Sequence, residues 1–169
     1  MPALLHASLK KKIKKNEYKA QAEITEAQWS YGHVRKSERV LYVTTIEEQA
    51  RKYARRFLLR GMNAYLNKYE LSDDLRNYNA RYFDSYDDSW LDFVALCRAG
   101  RDKSDYDIVT GGIANDKVFR TIDLFFSGEI TKDEALRNLL YETPNVQICL
   151  RSQELLDAEL TYISSEEIR

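Results

Sequence analysis

The chain has 169 residues, of which 44% are hydrophobic and 31% charged, and it carries a formal net charge of −1. Such a composition predicts one globular domain spanning 1–169, long enough for a real core. No apolar run approaches the roughly 18 residues of a membrane span, and only MPALLHASL precedes the lysine cluster at the N-terminus, so the expectation is a cytoplasmic protein with no membrane partner.

The near-zero net charge hides an asymmetry. Residues 1–60 hold 14 Lys and Arg against 6 Asp and Glu, a local excess of +8, while the remainder holds 12 against 21. The two halves can simply pack against each other, or the basic half can present a face to a pyrophosphate or a nucleic acid. Cys97 and Cys149 belong to no CxxC, and with His6 and His33 they make no recognisable ligand spacing. Both cysteines read as buried free thiols, and no metal site is expected.

In chain order, Ala3 to His6 predicts a short strand and Lys10 to Lys15 a charged connection, while 17–28 is helical or irregular. Arg39 to Thr44, RVLYVT, is β-branched and aromatic enough for a second strand. Thr45 is placed to cap a helix whose apolar side holds Ile46, Ala50, Tyr53, Phe57 and Gly61. Its other side holds Arg51, Lys52, Arg55, Arg56 and Arg60, which reads as a solvated face or a phosphate-binding one.

Ala64 to Leu71 and Arg76 to Phe83 predict two strands closed into a hairpin by Ser72-Asp73-Asp74. Asp87, Asp88 or Ser89 starts a helix that turns Trp90, Leu91, Phe93, Val94 and Cys97 inward and ends at Gly100. An exposed loop at 101–105 leads to a strand over Tyr106 to Val109, a turn at Gly111-Gly112, and a helix from Lys117 to Phe126 capped by Asn115 or Asp116. Ser127-Gly128 breaks the chain, and Thr131-x-x-Glu134 is a capping box for a helix reaching about Tyr141. In the strand Val146 to Leu150, the period of two sets Gln147 with Cys149 apart from the apolar face of Val146, Ile148 and Leu150. Ser152 caps a last short helix, and Leu160 to Ile163 returns as a strand.

Three segments carry a resemblance: SWLDFVALCRAG (Ser89 to Gly100), YDIVTGGIANDKVFRT (Tyr106 to Thr121) and PNVQICLRS (Pro144 to Ser152). They resemble a bacterial family of unknown function in the ADP-ribosyltransferase superfamily, with a WLDFV…R…YDIVIGPIANDRVYRTI…NQICF-like pattern and genes often beside short antitoxin-like partners. The resemblance implies an α+β fold, an ADP-ribosyltransferase-like split of two small, mainly antiparallel sheets flanked by helices. It also implies NAD as substrate.

The superfamily binds NAD between its two sheets through three strand-borne positions, and the matching segments are LLHAS (Leu4 to Ser8), ERVLYVTTIEEQARKYA (Glu38 to Ala54) and NVQICL (Asn145 to Leu150). Cleavage of the nicotinamide–ribose bond develops positive charge on the ribose, so an enzyme gains by fixing the hydroxyls and stacking an aromatic on nicotinamide. By resemblance, His6, with Ser8 of the same motif, holds the adenosine ribose. Tyr42, beside Thr44 and Thr45, stacks on nicotinamide, and Gln147 contacts the nicotinamide ribose. Arg55 or Lys52 neutralises the pyrophosphate. The resemblance thus makes Tyr42 and Gln147 the catalytic pair and His6, Ser8, Tyr42, Thr44 and Arg55 the NAD-binding set.

The chain departs from the pattern in two places. Gln147 is neutral and cannot act as a general base, although Glu38, Glu142 and Glu154 are the nearest carboxylates in sequence. The glycines of the family's DFGKGFY turn are replaced by Ser37, Glu38, Arg39 and Val40, and the glycine of its HGS by Ala7.

The expected function is therefore NAD-dependent ADP-ribosyl transfer to a protein or nucleic acid, as the toxin of a toxin–antitoxin or phage-defence pair restrained by a small antitoxin-like protein. A catalytically silent member of the fold that binds a protein partner or nucleic acid is the alternative. A nucleic-acid-binding module using KKKIKK, the arginine-rich helix and the aromatics Tyr18, Trp29 and Tyr31 is a third.

Overall fold

A computed structural model of the chain describes residues 3–8, 40–112, 116–139 and 145–169. In chain order the elements are β1 (Ala3–Ser8), β2 (Leu41–Val43), α1 (Glu47–Leu58), β3 (Ala64–Leu71), β4 (Ala80–Tyr82), α2 (Asp88–Arg98), β5 (Ile108–Gly111), α3 (Asp116–Phe126), α4 (Lys132–Leu139), β6 (Gln147–Leu150), α5 (Gln153–Ala158) and β7 (Leu160–Ile168). The KKKIKK cluster, the 17–28 segment, Tyr18, Trp29, Tyr31, Glu38, Asn115 and Glu142 lie outside the described residues.

The chain is α+β, with two small sheets. One is antiparallel throughout, in the order β1-β3-β7; the other runs β2-β6-β5-β4 and is antiparallel except where β4 pairs with β5. That parallel pair needs a crossover, and α2 supplies it.

The four-stranded sheet is covered on both faces along β2, β6 and β5, while β4 at its edge is partly exposed. Val109 and Cys149 point into one core with Phe83, just after β4, and with Trp90, Leu91, Val94, Ile122, Ala135 and Leu139 from the layer of α2, α3 and α4. Ile108, Leu150, Leu41 and Val43 point the other way, into a core shared with Tyr69 of β3, Leu160 of β7, and Leu155 and Leu156 of α5. A third cluster seats Ala50, Ala54 and Phe57 of α1 on Ala64, Leu66 and Ile168 of the three-stranded sheet. Alternate residues along β3 thus serve different cores, and the register shift at Lys68/Tyr69 skips Ile163 of the facing strand β7.

Local chemistry sets the helix ends. The Asp87 carboxylate accepts from the Trp90 amide at 2.9 Å and starts α2, and Gly100, at φ +64°, follows its last turn. Thr131 and Glu134 form the anticipated capping box, the Glu134 carboxylate accepting from the Thr131 amide at 2.8 Å and the Thr131 hydroxyl from the Glu134 amide at 3.3 Å. Ser152 accepts from the Leu155 amide at the start of α5.

Several expectations are corrected. No hairpin joins 64–71 to 76–83: the second strand is only Ala80–Tyr82, and it lies in the other sheet. Both edges of β3 are taken by β1 and β7, while the Ser72 amide donates to the Glu159 carbonyl, so the polar stretch carries the chain between sheets. Thr45 does not cap α1; the Thr44 hydroxyl instead accepts from the Ile46 amide at 3.1 Å. The strand expected at 106–109 runs from Ile108 to Gly111, so Gly111 ends a strand and forms no turn. The last strand continues to Ile168 because its far half pairs with 64–68. The first strand likewise extends to Ser8 through pairing with β3.

The loop after α2 is tied down by charge. Arg151 Nη2 lies 3.0 Å from Asp102 Oδ2, with the two side chains 17% and 15% exposed, and Arg151 Nη1 donates to the Ser104 hydroxyl at 3.1 Å. Burial opposes ionisation of Asp102, but hydrogen bonds from Ser104 and the charge of Arg151 together hold its carboxyl below the usual range.

Two outcomes follow from this packing. Trp90 is fully buried and edge-on to Tyr86, with ring centroids 4.7 Å apart, so Trp90→Ala should cost about 3–5 kcal/mol in urea unfolding. Asp102→Ala should cost about 2 kcal/mol, between an exposed pair and a fully buried one. Because the Asp102 pKa is depressed in the folded protein, its contribution is present above the unfolded carboxyl pKa and lost as pH falls through the folded one. Asp102→Asn should therefore flatten the fall in urea midpoint below about pH 5.

Candidate functional site

The candidate site is the end of the four-stranded sheet where β2 and β5 finish and β6 begins. Tyr42 pairs with Cys149, and Gln147 pairs with Gly111. The two-residue period sets Tyr42, Cys149 and Gln147 on one face, and the β2–β6 register continued by one residue past Val43 brings Thr44 opposite Gln147. Tyr42 is half-buried against the helix-side core. Burial pushes the Cys149 thiol up to about 12, and Arg151 and a hydrogen bond from Tyr42 oppose this only in part.

Gln147 is 3% exposed, and its side-chain carbonyl oxygen Oε1 is buried with no hydrogen-bond partner. Gln147 and Cys149 do face away from Ile148 and Leu150, yet Gln147 is buried, because the sheet is covered on both sides here and period two does not separate inside from outside. A buried acceptor without a donor costs roughly 1–3 kcal/mol, which a bound hydroxyl or N–H would recover. Beside it, Gly111 offers no side chain.

The chain just before Gln147 is held by side chains from elsewhere. The Gln49 amide, near the start of α1, makes both bonds to Val146: Nε2 donates to the carbonyl at 2.7 Å, and Oε1 accepts from the amide at 3.2 Å. One residue further back, Asn145 Oδ1 accepts from the Tyr86 hydroxyl at 3.1 Å. The Tyr86 ring lies so close over Gly112 that any Cβ there would overlap it.

The other anticipated residues are distributed as follows. Thr44 is buried at this end of the sheet, and its hydroxyl already serves the Ile46 amide. His6 and Ser8 are on β1, opposite Asn67 and Tyr65 of β3, and β1 runs beside β2 where the edges of the two sheets meet. Arg55 is exposed on α1, and at about 100° per residue it stands about 120° round the helix from Gln49, on the side of Arg51. Glu154 is exposed on α5, which follows the opposite end of β6. The helix-to-strand clamp of Gln49, the Tyr86–Asn145 pair and the close approach at Gly112 were not anticipated. Gln49 lies in the matched TTIEEQA stretch, Asn145 in NVQICL and Gly112 in YDIVTGGIANDKVFRT, whereas Tyr86 carries no signal legible in sequence.

Among the described residues, no group of three or more His, Cys, Asp or Glu is arranged to hold a metal ion, and no helix is long and apolar enough to cross a membrane. No curated protein matches the chain, and no solved structure does. The family model described as "Protein of unknown function (DUF3990)" matches residues 9–162, nearly the whole length. The two-sheet α+β chain with this Gln147-centred site therefore belongs to the DUF3990 family.

Proposed function

We propose that the protein is an NAD-dependent ADP-ribosyltransferase acting on a macromolecule, with an ADP-ribosyltransferase-like split of its two sheets, as the toxin of a pair restrained by a small antitoxin-like protein. The observation that carries this reading is the buried, unpartnered Oε1 of Gln147 on the same sheet face as Tyr42. That oxygen is an acceptor without a donor in the chain, and a ribose hydroxyl of NAD is a group that would satisfy it. The resemblance of LLHAS, ERVLYVTTIEEQA and NVQICL to the superfamily's three motifs supports it further.

In this reading the aromatic face of Tyr42 stacks on nicotinamide, and Gln147 fixes a hydroxyl of the ribose whose bond to nicotinamide breaks. Gln49 sets the position of Gln147 through the Val146 backbone. The reaction moves ADP-ribose to a nucleophilic oxygen or nitrogen of the acceptor, releasing nicotinamide and the acceptor's proton. Gln147 remains neutral throughout, so the proton leaves to solvent or to a group on the acceptor.

A second reading, a catalytically silent member of the fold, is favoured by two observations: the Thr44 hydroxyl is occupied within the chain, and the third motif position carries no charge.

The test is transfer of label from adenylate-labelled NAD into a bacterial extract, with the products treated separately with protease and nuclease. Tyr42→Phe should retain labelling and Tyr42→Ala should abolish it, both proteins unfolding at comparable urea concentrations. Equal labelling by Tyr42→Ala, or none by the wild type, selects the silent reading. Gln49→Ala should lower the initial rate by about 10- to 100-fold while the protein stays folded, as expected when a reacting group shifts by about 1 Å.

A further inference from the structure

The exposed face of α1 is cationic. Ala50, Ala54 and Phe57 seat the helix on the three-stranded sheet, and the opposite side carries Lys52, Arg55 and Arg56, continuing to Arg60 in the turn beyond. Arg51 is not part of this surface, because it is bonded to Glu47 at 2.7 Å and to Glu166 of β7 at 2.6 and 3.0 Å. Among the described residues, no carboxylate lies within ion-pair distance of Lys52, Arg55, Arg56 or Arg60. Three cations elsewhere in the fold are paired: Arg76 with Asp74, Lys132 with Asp88 and Asp92, and Arg151 with Asp102.

The position of this face matters as much as its sign. At about 100° per residue, Lys52, Arg56 and Arg60 fall within about 60° of Gln49 round the helix, and a rise of about 1.5 Å per residue spaces them about 6 Å apart. Gln49 is bonded to Val146, the residue before Gln147. The line of cations therefore starts at the candidate site and leads away from it. The Arg56 guanidinium is braced over the Tyr53 ring, 5.7 Å from its centroid, which limits the freedom it would lose on binding.

From this arrangement we infer that Lys52, Arg56 and Arg60, flanked by Arg55, form a phosphodiester-binding track that delivers a single-stranded nucleic acid to the Tyr42–Gln147 end of the sheet. A run of one sign at regular spacing matches a phosphate backbone. An anionic membrane is disfavoured because the apolar side of α1 is already buried under the cations. A protein partner would want several apolar or aromatic anchors at the centre of the patch, and among the described residues of this face Leu59, 87% exposed, is the large apolar side chain on offer. The delivery role rests on the transferase reading. The binding does not, and it is measured without NAD, so the two can fail separately.

The experiment is fluorescence anisotropy with labelled mixed-sequence RNA and DNA single strands of about 15 nucleotides, titrated at several salt concentrations from about 50 mM upward. The triple variant Lys52→Gln, Arg56→Gln, Arg60→Gln should bind about tenfold or more weakly at low salt and reduce the salt slope by about 2, at about 0.7 for each phosphate no longer neutralised. Arg101→Gln with Lys103→Gln, on a different exposed loop, should leave both quantities unchanged. A preference between the two probes identifies which polymer the track serves. The inference is overturned if the wild type binds neither probe at low salt, if the triple and control variants behave alike, or if polyglutamate competes as well as unlabelled oligonucleotide, which would assign the face to an acidic protein.

Discussion

The constraint on which this structure depends is burial of the four-stranded sheet on both faces along β2, β6 and β5. Once α2, α3 and α4 cover one side and the three-stranded sheet with α5 covers the other, a polar side chain buried between these layers has no water to turn to. Thr44 meets that demand within the chain by accepting from the Ile46 amide. Gln147 does not, and its Oε1 is left without a donor. A double-sided core makes such an exception costly, and for that reason informative.

Long-range polar contacts convert this packing into a placed site. α1 lies on the three-stranded sheet through its apolar side, yet its first turns reach the other sheet through Gln49 and Val146. The same helix is bound to β7 by Arg51 and Glu166. Those two exposed or half-exposed contacts add little energy each, but they set the rotation of α1 about its axis. That rotation turns Lys52 and Arg56 toward the end of the sheet that holds Gln147. Tyr86 acts comparably on the opposite flank, edge-on to Trp90, over Gly112 and bonded to Asn145. Preorganisation of this kind costs nothing at the moment of binding, because folding has already ordered the groups.

Much of this was legible in the residues, and the legible parts share a cause. The starts of α2 and α4 depend on atoms three residues apart, so Asp87 with Trp90 and Thr131 with Glu134 could be read from spacing alone. The hairpin at 72–74 could not be read correctly, because a polar turn is also a suitable crossing between sheets, and only the pairing of β3 with β1 and β7 separates the two. Gln147 was legible as a residue to watch but not as a buried one. Its burial comes from layers contributed by residues 41–43, 90–94, 122–139 and 155–160, far away in the chain.

By itself, then, the sequence determined what acts through bonds and short spacing: the starts of α2 and α4 and the alternation of side chains along β6. Tertiary structure decided what depends on distant partners. It assigned strands to sheets, removed Arg51 from the cationic face by pairing it with Glu166, and brought the Gln49 amide to the backbone beside Gln147. Burial and electrostatics act over distances of several ångströms in space, whatever the separation along the chain, so no local reading of residues contains them.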